Sequence, residues 1–448
     1  MGSIWLKNAL VVNEGVRQYL DILIKGDVID AIRPSSPLPF DNTAEIVDLT
    51  GKLLIPGVID DQVHLREPGL THKETIKDGS LAAAAGGVTS FMEMPNTKPP
   101  TTNLDELQKK FEIASKDSLV NYSFYFGATN DNSEFIGGLD PKTVCGVKVF
   151  MGSSTGNMLV DDTKSLSAIF AESPILVATH CEEESIIQKN LHDYKLKYGE
   201  NLPFSMHPQI RSHEACIRST DKAVTLATKY GTRLHVLHLS TAEELSLFTT
   251  SKLEEKKITG EVCVHHLWFN DTYYPNLGAK IKWNPAIKSE KDRLALIQGL
   301  INGKLDVVAT DHAPHTLAEK NQSYFQSPSG GPLLQHSLVA MLELAKQGYL
   351  SLEQVVEKMC HNPAIAFQIA KRGFIRKGYF ADLAVVDIES PWTVTPQNIV
   401  YKCGWSPFEN IHFSSKITHT FINGKLVYHN GQYAHTENTP AMALTFNR

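Results

Sequence analysis

The sequence predicts an α/β fold, a (β/α)8 TIM-like barrel joined to a small β-domain built from both chain termini. Three observations carry this. From Leu53 to His315 a short run rich in Val, Ile and Phe, a polar loop and a helically spaced segment recur in turn. The two ends have a different texture of short strands and turn signals. Five of the apolar runs close on an acid, a lysine or a histidine, in DDQVHLREPG, GVKVFMGSS, ILVATHCEE, LHVLHLST and VVATDHAPH. Parallel barrels keep their chemistry at the C-terminal ends of their strands, so residues distant in sequence can meet there.

Eight strands are predicted, at Leu53 to Leu65, Val88 to Asn96, Tyr122 to Thr129, Thr143 to Gly152, Ile175 to Cys181, Arg233 to Thr241, Ile258 to Phe269 and Leu305 to His312. Helices are predicted at Lys73 to Ala85, Leu104 to Ser115, Ala242 to Lys252 and Glu290 to Asn302, two of them behind an Asn or Thr suited to an N-cap. The Ala82 to Ala85 run ends at Gly86-Gly87 and reads as the packed face of a helix. This spacing also fits a doubly wound sheet. Before about Ile55 the runs VVNEG and KGDVIDAI, and after about Gly373 the runs FADLAVVD and THTFINGKLVYHNG, read as strands of one shared domain.

Composition narrows the function class. With 448 residues, 42% hydrophobic, 21% charged and a net charge of -6, the chain reads as an ordinary globular protein without the basic field that nucleic-acid binding needs. Cysteines 145, 181, 216, 263, 360 and 403 form no CxxC pair, which suggests neither a disulfide framework nor a zinc ribbon and makes a reducing cytoplasm the expected location. The start MGSIWLKNALVV lacks the pattern of a secretory leader or a myristoylation signal, and no apolar run reaches the roughly 18 residues of a membrane span.

The candidate site residues follow from position. His64, His180, His238 and Asp311 each close a predicted strand beside a polar neighbour. A single such histidine is usually a core residue, but three of them and an aspartate at barrel-mouth positions point to a metal. Zinc suits mixed imidazole and carboxylate ligands, and water on a catalytic zinc becomes a nucleophile near neutral pH. Lys148 allows two readings. Buried and neutral, its amine could take up carbon dioxide to give a carbamate that bridges two metals, or its ammonium could pair with Asp311 or another acid.

Arg66 and Asn96 also sit at strand ends and suit an anionic substrate, against a surface salt bridge for Arg66 and a turn cap for Asn96. His315 and Asn284 could touch the same substrate from adjacent loops, and Asp311 could carry a proton to a leaving nitrogen. The glycines of Ser327 to Pro332 would allow close backbone approach to a ligand, or simply form a surface loop.

The segments PGVIDDQVHLREPGLTHKE, MPNTKPPTT, GVKVF, ATHCEE, HVLHLST, ATDHAPHT and NPAIAFQIAKRGFIRKGYFADLAVVD make the chain resemble the dihydroorotases of the amidohydrolase superfamily. The resemblance implies a (β/α)8 barrel over 55–372 and a β-sandwich from 1–54 and 373–448. It also implies zinc at the barrel mouth and reversible hydrolysis of L-dihydroorotate to N-carbamoyl-L-aspartate in pyrimidine biosynthesis. By position His64, Lys148, His180, His238 and Asp311 match metal ligands, with Lys148 carboxylated and Asp311 also the proton carrier. Arg66, Asn96, Asn284 and His315 match substrate-binding positions, although KWNPAIK departs from the usual NPPLR-like sequence around Asn284.

One departure bears on the metal. Gln62 stands where the family's HxH pair has its first histidine, so one zinc is expected through Lys148, His180 and His238 and a weak second site beside His64. The same residue leaves open a catalytically silent assembly partner, and a hydantoin- or allantoin-cleaving enzyme would use the same ligands. Arg66 with Asn96 favours the carboxylated substrate. The expected partner is that small molecule, with no nucleic acid and no membrane, and a homodimer stays open.

Overall fold

The computed structural model describes residues 2–36, 44–152 and 158–448. Val58–Val63, Val88–Glu93, Asn121–Phe124 with Phe126–Gly127, Val147–Phe150, Val177–His180, Leu234–Val236, Ile258–Cys263 and Val307–Ala309 follow one another in parallel around a barrel. The ring closes where Val63 bridges His312 and the His64 N–H donates to the His312 carbonyl at 2.7 Å.

Strand alternation sorts the side chains. Val147 and Val149 join the core under the surrounding helices, whereas Lys148 between them turns into the barrel mouth. Deeper in the barrel, Ile59, Leu176, Ala178, Leu237 and Val307 pack with Phe367 into a separate apolar cluster.

Both chain ends build the second unit, one nine-stranded sheet in which Leu53–Pro56 lies between Ser3–Asn13 and Leu383–Asp387. Alternation decides what each face meets. Leu54, Leu383 and Val385 gather with Leu6, Ile22 and Ile24 in a core of their own, while Leu53, Ile55, Ala384 and Val386 join the barrel core. We propose 55–372 as the barrel domain and 1–54 with 373–448 as the second domain, the strand Leu53–Pro56 crossing the first bound.

Some predicted elements change shape. Leu53 to Leu65 is two strands in different sheets, parted at Gly57, whose N–H bonds the Asp382 carbonyl and where a Cβ would meet the Thr89 side chain at 2.1 Å. Ile258 to Phe269 ends as a strand at Cys263 and continues as the short helix Val264–Trp268. The predicted helix Ala242 to Lys252 is only a 3-10 turn, Glu243–Leu247. There Thr241 accepts the Glu244 N–H, but buried Glu244 also binds Thr220 and Ser240, which ties the segment to its neighbours instead of extending a helix. The other predicted helices form behind side-chain caps at Thr75, Asn103 and Ser289. Ala82–Ala85 is buried as read. No helix is long and apolar enough to cross a membrane among the described residues.

A buried ion pair joins the units. Arg372 pairs with Asp382 and donates to Asn423 Oδ1 at 2.8 Å, while Asp382 accepts from Asn121 of the barrel at 3.2 Å. Removing one partner of a buried pair leaves the other charge uncompensated, so Arg372→Ala should cost about 3–5 kcal/mol in urea unfolding. A loss below about 1 kcal/mol would mean that Asp382 finds water or another cation.

Candidate metal and substrate site

The structure brings His64, Arg66, Asn96, Lys148, His180, His238, Asn284, Asp311 and His315 to the lining of one cavity of about 390 Å³ at the C-terminal ends of the barrel strands. Arg66, His238 and Asp311 have φ of 67°, 40° and 48°. Left-handed backbone at non-glycine residues costs roughly 1–3 kcal/mol each and persists where surrounding contacts enforce it. Here the Glu261 carboxylate accepts the His238 N–H at 2.9 Å, the Asp311 carbonyl faces Trp283 Nε1 at 3.4 Å, and the Arg66 carbonyl accepts from Leu70 at 2.9 Å.

Two pairs of ligand atoms face each other. His180 Nδ1 lies 3.0 Å from His238 Nε2, and His64 Nε2 lies 3.1 Å from Asp311 Oδ1. Two ligands at about 2.0–2.2 Å from one zinc ion stand roughly 3–3.5 Å apart, so both spacings fit a metal centre. The tautomer of His64 agrees. Its Nδ1–H donates to Asn96 Oδ1 at 2.7 Å, which leaves the Nε2 lone pair facing a carboxylate, an arrangement a cation relieves. Burial lowers the pKa of His64, His180 and His238, keeping them in the neutral form that ligates.

Lys148, 1% exposed, forms no ion pair with Asp311 or with any other acid among the described residues; its Nζ rests 4.6 Å from the Phe150 ring centroid. Burial pulls its ammonium down to about 7, although Asp311 and Glu261 oppose the shift. Gln62 is also in the cavity, but its Nε2 donates to Asp311 Oδ1 at 3.2 Å and its oxygen faces the Cys263 thiol. The amide therefore offers no oxygen to the His64–Asp311 pair.

The Arg66 side of the cavity is equally built. Arg66 is buried rather than salt-bridged at the surface: Nε donates to the Pro314 carbonyl at 3.1 Å and Nη2 lies 3.0 Å from His315 Nε2. Asn96 orients His64 instead of capping a turn. His315 Nε2 donates to the Ser329 carbonyl at 2.9 Å and Nδ1 accepts from Lys73 at 3.0 Å, while burial, Arg66 and Lys73 hold its pKa well below the ordinary value.

The loop after Arg66 packs on the Asn96 loop at Gly69, where φ is 85° and a Cβ would meet the Lys98 carbonyl oxygen at 1.9 Å. In SPSGGP, Pro328, Ser329 and Gly330 line the cavity, and Lys320 clamps the Pro328 and Gly330 carbonyls at 2.8 and 2.7 Å.

Other cavity residues carry no role in the sequence reading. Arg211, Glu184, Gln188, Phe150 and Trp283 line it, and Arg211 pairs with buried Glu182, which also lies 3.0 Å from His180 Nε2. Burial would raise the Glu182 carboxyl, but Arg211 and His180 hold it at about 2. Glu182 was visible as the acid two residues after His180; Arg211 and Trp283, in helical and loop segments, gave no signal.

The amidohydrolase family model matches residues 53–427, so the chain belongs to the amidohydrolase family. Its sequence relatives include dihydroorotases. Those of Methanosphaera stadtmanae, 31% identical over 95% of this chain and 96% of that protein, and of Carboxydothermus hydrogenoformans, 34% identical over 90% and 92%, are among them. The solved L-hydantoinase (dihydropyrimidinase) of Arthrobacter aurescens superposes with a TM-score of 0.93 at 26% identity, covering 99% of this chain and all of that one.

Replacing the non-ligating amide should complete the second ligand set. The variant Gln62→His is expected to bind more zinc per chain than the native protein by mass spectrometry of the purified, dialysed proteins; equal metal content would show that residue 62 does not limit the site.

Proposed function

We propose that the chain is a dihydroorotase, a zinc-dependent hydrolase that opens the ring amide of L-dihydroorotate to N-carbamoyl-L-aspartate and closes it in reverse, in the cytoplasmic synthesis of pyrimidines. The observation that carries this reading is a buried guanidinium, Arg66, set in the same cavity as two facing pairs of metal-ligand atoms. The full-length similarity to dihydroorotases supports it.

His180 and His238 would hold one metal together with Lys148 carrying a carbamate, and His64 with Asp311 would hold a second, weaker one. A metal bound there supplies Lewis-acid polarisation of the ring carbonyl and makes water acidic enough to attack near neutral pH.

The residues do the rest. Arg66, which Nε ties to Pro314, lines the cavity and would hold the substrate carboxylate, with Asn96, Asn284 and His315 beside it. Asp311 takes one proton of the attacking water and returns it to the ring nitrogen as the C–N bond breaks, so one water is consumed, Asp311 ends as it began, and the new product carboxylic acid ionises with release of one proton at neutral pH. Neutral His315, both of whose ring nitrogens are taken by Ser329 and Lys73, shapes the site beside Arg66 without adding charge. The hydantoinase-like superposition gives the runner-up, a cyclic amidohydrolase of neutral rings, and Arg66 argues against it because such a ring has no carboxylate to meet the buried charge.

Three outcomes test the reading. Asp311→Ala should lower dihydroorotate hydrolysis by about 10²-fold or more in a spectrophotometric assay; a near-native rate would remove it as proton carrier. Arg66→Ala should weaken dihydroorotate binding by about 1.5–3 kcal/mol and leave a neutral hydantoin unaffected, and an equal loss on both would contradict its role as anchor.

The lysine test depends on pH. Because burial lowers the Lys148 pKa to about 7, the amine is neutral above that value and free to carry a carbamate. With ¹³C-bicarbonate at pH 8 the native protein should show a carbamate carbon signal that Lys148→Arg lacks, and the signal should fade as pH falls through about 7. No signal at pH 8 would leave Lys148 uncarboxylated.

A further inference from the structure

Below the mouth, Asp61, His235 and Glu261 meet inside the barrel, each with no exposure to solvent. They come from three different strands, Val58–Val63, Leu234–Val236 and Ile258–Cys263. His235 Nε2 lies 3.0 Å from Asp61 Oδ2 and 3.5 Å from Glu261 Oε2. We propose that these three side chains bind a divalent transition-metal ion, a structural site distinct from the one at the cavity.

Two of the three ligands, His235 and Glu261, have one end fixed and the other turned inward. His235 Nδ1–H donates to Thr259 Oγ1 at 2.7 Å, and Thr259 spends its own hydroxyl proton on the Leu234 carbonyl at 3.2 Å, so the Nε2 lone pair turns to the carboxylates. Glu261 Oε1 accepts from the His238 N–H at 2.9 Å and from the Cys263 thiol at 3.4 Å.

At the inner ends, Asp61 Oδ1 and Oδ2, Glu261 Oε2 and His235 Nε2 are all buried with no partner outside the cluster itself. Buried polar atoms are rarely left so, and four at one point fit the four donors of a closed site: a chelating carboxylate, a second carboxylate and an imidazole. The spacings of 3.0 and 3.5 Å match neighbouring ligands of one ion at about 2.0–2.2 Å. Fixed outer atoms with vacant inner ones are how protein ligands are oriented toward a metal.

Charge supports the assignment. A proton on Nε2 offsets one of the two carboxylates, whereas a divalent ion offsets both with the imidazole neutral. The site would clamp three strands across the lumen and, through Glu261 Oε1, hold His238 in its left-handed conformation.

The full-length protein, purified without chelator and crystallised, tests this by anomalous scattering at the zinc and manganese edges. A peak within ligand distance of Asp61, His235 and Glu261 is expected; a map with no peak there, the site then holding only a proton, overturns the proposal. Metal analysis separates this site from the other. His180→Ala/His238→Ala should still hold tightly bound metal after dialysis against EDTA, and Asp61→Asn/His235→Gln should lose it. A metal-free His180→Ala/His238→Ala protein, or unchanged metal in folded Asp61→Asn/His235→Gln, would count against it. If that variant fails to fold, the anomalous map of the native chain decides.

Discussion

The His64 N–H to His312 C=O hydrogen bond, 2.7 Å long, is the constraint on which the site depends, because it closes the barrel between its first and last strands. Those strands are separated by nearly the whole barrel sequence, and closing them sets His64 Nε2 beside Asp311 Oδ1. Closure also places Gln62 against Asp311 and lets Asp60 accept the Thr310 N–H at 3.3 Å. A sheet left open there would keep every ligand but lose the centre between them.

Strained backbone and desolvation coincide at this end. Among the positive-φ non-glycine residues, Arg66, His238 and Asp311 line the cavity. Burial then sets their chemistry: it keeps the imidazoles neutral, brings Lys148 to about 7 and leaves Arg66 at about 10, still a cation at neutral pH. Burial at one mouth thus keeps imidazoles neutral beside a charged guanidinium.

The second unit supports this arrangement from outside. Leu53 and Ile55 face the barrel core while Leu54 faces the sheet's own core, so a four-residue strand belongs to both. The Arg372–Asp382 pair fastens the return of the chain to Asn121 of the barrel. Termini and barrel therefore share a strand, a packed face and a buried ion pair.

Alternating apolar runs, strand-end histidines and the Asn103-capped helix were legible because they are local: each depends on side-chain period and on a few neighbouring hydrogen bonds. The ligand and anion-anchor positions could be proposed for the same reason, since a strand end is readable from its own residues. Leu53 to Leu65 was misjudged as one strand because the break at Gly57 is imposed by Asp382 and Thr89, both distant in sequence. Ala242 to Lys252 lost its helix to bonds that Glu244 makes with Thr220 and Ser240. The pairing of Arg211 with Glu182, the aim of the Gln62 amide and the meeting of Asp61, His235 and Glu261 were likewise tertiary matters. Sequence by itself determined which residues stand at strand ends and which face they take; the closed barrel alone decided which of them meet, because only closure brings strands from opposite ends of the chain within a few ångströms.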